Sequence, residues 1–167
     1  VYKRQIMITQ SILEGYIKQA ASELYSKDSY LIECQACERS IMYKFAHYLD
    51  NLISKDPAFV GYNLDCEYNR DIYAVKCIGY CLNRVYPDII IHKRGTNNDN
   101  LLVIECKTWW NSNIDDDIKK INAFLSPNEQ YNYQFGLCLI FAENKENIKW
   151  ITYDKNLYYR ALKELYK

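Results

Sequence analysis

The sequence predicts an α/β domain with a central mixed sheet of about four to five strands, flanked by helices and preceded by an extra N-terminal helix. Two apolar runs rich in β-branched residues, 86–94 and 101–109, are separated by a cluster of turn residues, which is typical of strands joined in a hairpin. A helical pattern over 113–124 then leads to another apolar run at 132–142. A helix that crosses over between two strands makes them parallel, so the sheet is predicted to be mixed.

Two helices are predicted before the first strand. Ser11-x-x-Glu14 has the spacing of a capping box and opens a helix that continues to about residue 26. Residues 29–53 read as a second, longer helix. At the other end of the chain, 149–153 is predicted as an edge strand and 156–165 as a short helix. We expect one domain with an N-terminal helical extension (1–27), a core (28–153) and a C-terminal helix (154–167).

The second predicted helix carries a glutamate in line with its apolar stripe. The stripe has helical spacing and, continued backward from Ile41, it meets Glu38. An unpaired buried glutamate is rare, which favours a functional position for Glu38. The alternative is that the stripe ends in solvent at Ile41 and that Glu38 is exposed.

Charged residues interrupt both apolar runs. Asp88 lies in the first run, and Glu105 and Lys107 lie two apart in the second, so these two share one face of a strand. A hairpin that sets Asp88 opposite Lys107, and Ile90 opposite Glu105, brings all three charged side chains to one face, while Cys106 points the other way. A slip of one residue would send Asp88 to the opposite face.

Converging carboxylates predict a metal site. Asp88 and Glu105 suit a hard cation with oxygen ligands, typically Mg²⁺ or Mn²⁺, which can polarise a phosphoryl oxygen and activate water near neutral pH. Lys107 would position or deprotonate that water, or balance charge in the transition state. The alternative is a structural salt bridge between Asp88 and Lys107, which would also have to explain three charges on an otherwise apolar face.

Composition bounds the class of protein. The chain of 167 residues has zero formal net charge, which argues against tight binding of nucleic acid by phosphate neutralisation alone but not against a nuclease whose acidic site offsets basic residues elsewhere.

An odd number of cysteines, seven, and no visible secretion signal favour reduced thiols and a cytoplasmic location. No stretch approaches the length of a membrane span, so we expect no membrane partner. Cys34-x-x-Cys37 and Cys77-x-x-x-Cys81 leave a zinc site as an alternative.

Pro87-Asp88 followed by Glu105-x-Lys107 resembles the PD-(D/E)xK signature of the restriction-endonuclease-like nuclease superfamily. The segments 65–70, 87–95, 100–107 and 133–137 are similar to an uncharacterised bacterial group with this fold, and the resemblance runs from about 37 to 143. It implies a restriction-endonuclease-like core with the signature on the second and third strands. It also implies that Glu38 is a further acid that holds the metal directly or through water.

We therefore expect a metal-dependent nuclease that uses Mg²⁺ or Mn²⁺ to hydrolyse nucleic acid, with DNA as the expected substrate. The expected catalytic residues are Asp88, Glu105, Lys107 and Glu38, and the expected metal ligands are Asp88, Glu105 and Glu38. Lys93 and Arg94, at the hairpin, and Gln134, on the strand after the crossover, are predicted to contact nucleic acid. A homodimer would suit double-strand cleavage. The main alternative is a catalytically inactive module of this fold that binds nucleic acid or protein, and a small-molecule hydrolase is a third possibility.

Overall fold

A five-stranded mixed sheet lies between two layers of helices in the computed structural model of the chain, which confirms the predicted α/β class. The structure describes residues 7–72, 74–78 and 83–165. The helices are α1 (Gln10–Lys27), α2 (Ser29–Glu33), α3 (Glu38–Ile53), α4 (Asp115–Leu125) and α5 (Lys155–Leu165). The strands are β1 (Asn63–Cys66), β2 (Arg70–Asp71), β3 (Ala74–Val75), β4 (Cys77–Ile78), β5 (Asn83–Arg84), β6 (Ile89–His92), β7 (Leu102–Thr108), β8 (Phe135–Phe141) and β9 (Glu146–Ile151). Residues 1–6 of the predicted extension and 166–167 of the predicted C-terminal helix lie outside the described residues.

The main sheet has the strand order β1-β6-β7-β8-β9. Pairing is antiparallel throughout except between β7 and β8, which are parallel and are joined by the crossover helix α4. β9 lies at the edge, as predicted, and the short pairs β2–β3 and β4–β5 form two separate two-stranded sheets. The hairpin and the crossover expected from the sequence are therefore both present.

The two faces of the sheet belong to different cores because side chains alternate along each strand. Ile89, Ile104 and Cys106 face the core built with α1 and α3. Ile90 and Val103 face the core built with α4 and α5. Contact on this second face is close at Gly136 of β8, where a Cβ atom would overlap the side chain of Ile121 on α4.

The prediction of one continuous helix over 29–53 is wrong, because the structure has two helices there, α2 and α3. α2 ends in a Schellman motif: the Gln35 N–H donates to the Ile32 carbonyl at 3.1 Å, and the Ala36 N–H donates to the Leu31 carbonyl at 2.9 Å. Gln35 has a φ of 51°, in the left-handed region where glycine is usual. The break makes Glu38 the first residue of α3.

Two finer predictions also differ from the structure. The side chain of Thr9, not Ser11, accepts a bond from the Ile12 N–H at the start of α1. Glu14 instead pairs with Lys18 at 2.7 Å. In the hairpin, Ile89 pairs with Ile104 and Ile90 with Val103, so the register is shifted by two residues from the expected one. A shift of two preserves the face of every side chain, which is why the predicted grouping of charges survives.

Candidate active site

Asp88 and the C-terminal half of β7 form the base of a charged cluster at one end of the sheet. Asp88 immediately precedes β6, and one of its carboxylate oxygens accepts a hydrogen bond from the Cys106 N–H at 2.7 Å. This bond fixes the Asp88 carboxylate against the backbone between Glu105 and Lys107. Burial raises the pKa of Asp88, and the Cys106 N–H and the ammonium groups of the site oppose that rise.

Glu105 is the most buried acid of the cluster, with only 2% of its surface exposed. Its Oε2 accepts a hydrogen bond from the Lys120 Nζ at 2.7 Å, and Lys120 also donates to the Tyr86 carbonyl at 2.7 Å. The other oxygen, Oε1, is buried and has no hydrogen-bond partner among the described residues. Burial, followed by the nearby charge of Asp88, raises the pKa of Glu105 to about 8. The carboxyl group thus resists ionisation unless a further cation approaches it.

Lys107 lies between two acids from two different helices. Its Nζ is 3.4 Å from Asp117 Oδ2 on α4 and 3.9 Å from Glu38 Oε1 on α3. Burial acts to lower the pKa of Lys107, but the two carboxylates outweigh it and hold the pKa above its ordinary value. Lys107 is therefore a charged donor at neutral pH.

Glu38 reaches the cluster from the first turn of α3. Its side chain is 29% exposed, and its Oε2 is buried without a hydrogen-bond partner in the described part of the chain. Burial raises the pKa of Glu38; Lys107 acts to lower it, and Asp88 adds to the rise. The structure therefore brings together the four residues predicted to be catalytic, just before β6, on β7 and on α3.

Sequence reasoning missed two members of the cluster, Asp117 and Lys120. They are three residues apart and lie on one side of α4, which crosses over next to β7. Asp117 contacts Lys107, and Lys120 contacts Glu105. Their three-residue spacing indicates that the two side chains share one side of the helix, but it does not indicate that this side faces β7.

The cluster carries more acid than base. Four carboxyl groups (Glu38, Asp88, Glu105 and Asp117) face two ammonium groups (Lys107 and Lys120), so full ionisation would leave two excess negative charges. Concentrated like charge in a partly buried site is unfavourable unless a cation offsets it. A divalent cation matches this excess in charge.

An open pocket of about 390 Å³ adjoins the cluster. Glu38 and Asp88 line it together with Arg39, Met42, Glu67 and Tyr86. The pocket gives a ligand access to two of the carboxyl groups from solvent.

The carboxyl groups of the cluster are of the type that binds Mg²⁺, but they do not surround a metal position completely. No group of three or more His, Cys, Asp or Glu side chains within the described ranges is arranged so that it could hold a metal ion by itself. Mg²⁺, however, is commonly bound through one or two carboxylates and keeps several waters. Asp88 and Glu105, with the unpartnered Glu105 oxygen, fit this mode of binding, and Glu38 fits contact through water.

The predicted nucleic-acid contacts do not join this cluster. Lys93 and Arg94 follow β6 at the hairpin, whereas Asp88 precedes the same strand. A strand rises about 3.3 Å per residue, so Lys93 lies roughly 16 Å from Asp88 along it. Lys93 and Arg94 are therefore distant from the four residues predicted to be catalytic, because the hairpin closes the opposite end of β6 and β7.

Lys93 and Arg94 form local ion pairs, and the backbone of Gln134 forms a local hydrogen bond. Lys93 pairs with Asp99 at 3.3 Å, and Arg94 donates to both oxygens of Asp65. The Gln134 N–H donates to the Asn100 carbonyl, before the N-terminal end of β7 and away from Lys107. A role of Lys93, Arg94 and Gln134 in binding nucleic acid stays a prediction.

The zinc alternative gains no support. Cys34 and Cys37 are exposed and lie around the break between α2 and α3, and no group of three or more His, Cys, Asp or Glu side chains that could hold a metal ion is present at this pair among the described residues. Cys81 lies outside the described residues. Cys106 is fully buried on the opposite face of β7 from Glu105, as its position in the strand predicts.

Comparisons with family models, curated proteins and solved structures found no match to this chain. The resemblance to the PD-(D/E)xK superfamily therefore stays a prediction. Across the part of the chain that the structure describes, no helix combines the length and the apolar character needed to span a membrane.

Proposed function

We propose that the protein is a divalent-metal-dependent nuclease of the PD-(D/E)xK type that hydrolyses phosphodiester bonds, with DNA as its main substrate. One observation carries the proposal: a carboxyl group with an unpartnered buried oxygen, on Glu105, lies beside Asp88 in a cluster where four carboxyl groups face two ammonium groups. A buried acid of this kind is costly and marks functional sites. The cluster also adjoins a pocket that a ligand can enter.

Asp88 and Glu105 would hold Mg²⁺ or Mn²⁺, and Glu38 would contact it through water. When bound, the ion would polarise a phosphoryl oxygen and lower the pKa of a water molecule. The Cys106 N–H orients the Asp88 carboxylate. Lys120 fixes Glu105 and ties it to the backbone of Tyr86, two residues before Asp88.

Lys107 has a separate role, which follows from its charge. Because Asp117 and Glu38 keep it protonated, Lys107 acts as a hydrogen-bond donor and a positive charge, not as a general base. It would orient the attacking water and stabilise charge that develops on the phosphoryl oxygens. This narrows the roles that the sequence left open for Lys107.

The order of the strands agrees with the resemblance. Counted along the chain, β6 and β7 are the second and third strands of the main sheet, where the PD-(D/E)xK signature is expected. α3 precedes the first strand and provides Glu38, the position that the resemblance gives to a further acid. Fold and motif together support the proposed chemistry, although fold alone does not define function.

A catalytically inactive binding module is the second candidate, favoured by two observations. The described residues contain no ready-made group of three metal ligands, and Lys120 and Asp117 already pair with Glu105 and Lys107. In that case the cluster would be a buried ion-pair network, which contributes little to stability. Titration with a divalent ion distinguishes the two candidates.

The test is incubation of the purified protein with supercoiled, linear and single-stranded DNA and with RNA, each with Mg²⁺, with Mn²⁺ and with chelator. We expect cleavage only with metal, and loss of cleavage in Glu105→Ala. Cys106→Val is the matched control, since this side chain lies on the same strand but faces the opposite core. Undiminished cleavage by Glu105→Ala would refute the assignment.

Two properties of the protein in the cell belong to the same proposal. The six cysteines in the described ranges are all free, which supports a reducing, cytoplasmic location. A homodimer would allow cleavage of both strands of a duplex, and sedimentation of the purified chain tests it.

A further inference from the structure

We propose that the pocket beside the carboxylates binds single-stranded nucleic acid, with a base stacked on Tyr86 and the adjoining phosphate contacted by Arg39. This inference rests on the proposed function, because it supplies the class of substrate for the same site. Five features carry it: an exposed aromatic residue in the pocket, a second exposed aromatic residue after β7, the size of the pocket, a replaceable ion pair and the overall charge.

Tyr86 is an exposed aromatic residue in the lining of the pocket. It is 44% exposed and lies two residues before Asp88. The backbone of Tyr86 is held in place because its carbonyl accepts a hydrogen bond from Lys120, which also binds Glu105. An exposed tyrosine alone is ordinary. A ring on a fixed backbone, next to a proposed metal ligand, has the position of a platform on which a base stacks.

A second exposed aromatic residue follows the other signature strand. Trp109 is 41% exposed and lies two residues after Lys107, and its ring meets Trp110 edge to face at 5.6 Å. Tyr86 thus precedes β6 and Trp109 follows β7, at the same end of these two antiparallel strands. Successive bases of a flexible single strand can stack on separate rings, and such stacking tolerates any sequence.

The size of the pocket favours one nucleotide over a duplex. Its volume of about 390 Å³ is near the lower end for small-ligand sites. Bases within a duplex are stacked on each other and reach a protein ring only when they are unpaired and rotated out. A strand that is already single avoids this cost.

Arg39 is placed to bind a phosphate. It lines the pocket next to Glu38, its side chain is mostly exposed, and its Nε lies 2.8 Å from Glu67 Oε1. Glu67 is fixed there by its N–H, which donates to the Asp88 carbonyl at 3.0 Å. An exposed ion pair contributes little to stability, so a phosphate can replace the Glu67 carboxylate as the partner of Arg39.

The overall charge agrees with a single-stranded substrate. The chain has zero formal net charge, whereas affinity for a duplex comes largely from the neutralisation of phosphates by basic residues. Stacking on aromatic rings supplies affinity that does not require a basic excess.

The experiment measures binding and cleavage separately. Fluorescence anisotropy with Mg²⁺ would compare a labelled DNA strand with the duplex of the same sequence, in a Glu105→Gln background that prevents turnover. We expect the single strand to bind on the order of 10-fold more tightly than the duplex. We expect Tyr86→Ala to weaken single-strand binding by on the order of 10-fold and Tyr86→Phe, which keeps the ring, to leave it unchanged.

Two further variants complete the design. Tyr159→Ala is the control, because Tyr159 is equally exposed, at 45%, but lies on α5 and does not line this pocket. Arg39→Gln should make the slope of log affinity against log salt concentration shallower, by the amount that corresponds to about one phosphate contact. Equal or tighter binding of the duplex, or binding by Tyr86→Ala equal to that of its parent, would overturn the inference.

The outcomes separate the inference from the proposed function. Tyr86-dependent binding of single strands without metal-dependent cleavage by the wild-type protein would refute the nuclease and keep the binding site. Cleavage of duplex DNA that Tyr86→Ala leaves unchanged would support the nuclease and refute the single-strand site. Absence of binding to any nucleic acid would overturn both.

Discussion

Replacement of Glu105 by glutamine tests whether ionisation of this buried carboxyl group destabilises the folded protein. Glu105 is 2% exposed, and its pKa is raised from 4.5 to about 8 by burial and then by Asp88. The folded state therefore binds a proton more tightly than the unfolded chain. The resulting stability is fully present below the unfolded pKa and is lost as the pH rises from about 4.5 to 8.

The magnitude follows from the size of that interval. Each tenfold change in proton affinity corresponds to about 1.4 kcal/mol, so complete ionisation of Glu105 would destabilise the folded state by up to about 5 kcal/mol. Glutamine cannot ionise, has nearly the same shape, and keeps an oxygen that can accept from Lys120. We expect Glu105→Gln to be about 2–5 kcal/mol more stable than wild type at about pH 9 with chelator, and close to wild type at about pH 4.

Urea unfolding at both pH values measures this difference as the change in the free energy of unfolding. Mg²⁺ should raise the stability of the wild-type protein at the higher pH but not that of the variant, because a ligand stabilises only the state that binds it. Cys106→Val, on the opposite face of β7, serves as the control and should show no pH-dependent difference from wild type. A stability difference between Glu105→Gln and wild type that is the same at both pH values would refute this reasoning.

Three further predictions concern other residues. Lys107→Met should lower the cleavage rate in single-turnover kinetics by at least about 100-fold, while calorimetry should show that divalent-ion binding is retained. The reason is that Lys107 is proposed to act on the water and not on the metal. Lys76 is 2% exposed, and burial lowers its pKa to about 8, so the folded state gains stability as the pH rises from about 8 to 10.5. Lys76→Met should therefore be about 1–3 kcal/mol more stable than wild type near neutral pH in urea unfolding, and this difference should disappear above about pH 10. Gly136→Ala should destabilise the fold by about 1–3 kcal/mol in the same assay, because the added Cβ would overlap Ile121, and Gly15→Ala, which has open space around it, is the control.

Much of this fold could be predicted because it depends on periodicity. Alternation along β7 placed Glu105 and Lys107 on one face and Cys106 on the other, and it is insensitive to the two-residue error in register. The break before Glu38 could not be predicted, because Gln35 adopts the left-handed conformation without a glycine to mark it. The partners of Lys107 and Glu105 depend on how α4 is rotated against the sheet, which local sequence does not determine.

The most direct test of the central claim is calorimetric titration of the protein with Mg²⁺ and Mn²⁺, for wild type, Asp88→Ala and Cys106→Val. Asp88 lies at the cluster and in the wall of its pocket, so its carboxylate is more accessible from solvent than the buried carboxyl group of Glu105. We predict saturable binding to wild type and Cys106→Val and loss of that binding in Asp88→Ala. Absence of binding to wild type, or unchanged binding to Asp88→Ala, would contradict the account.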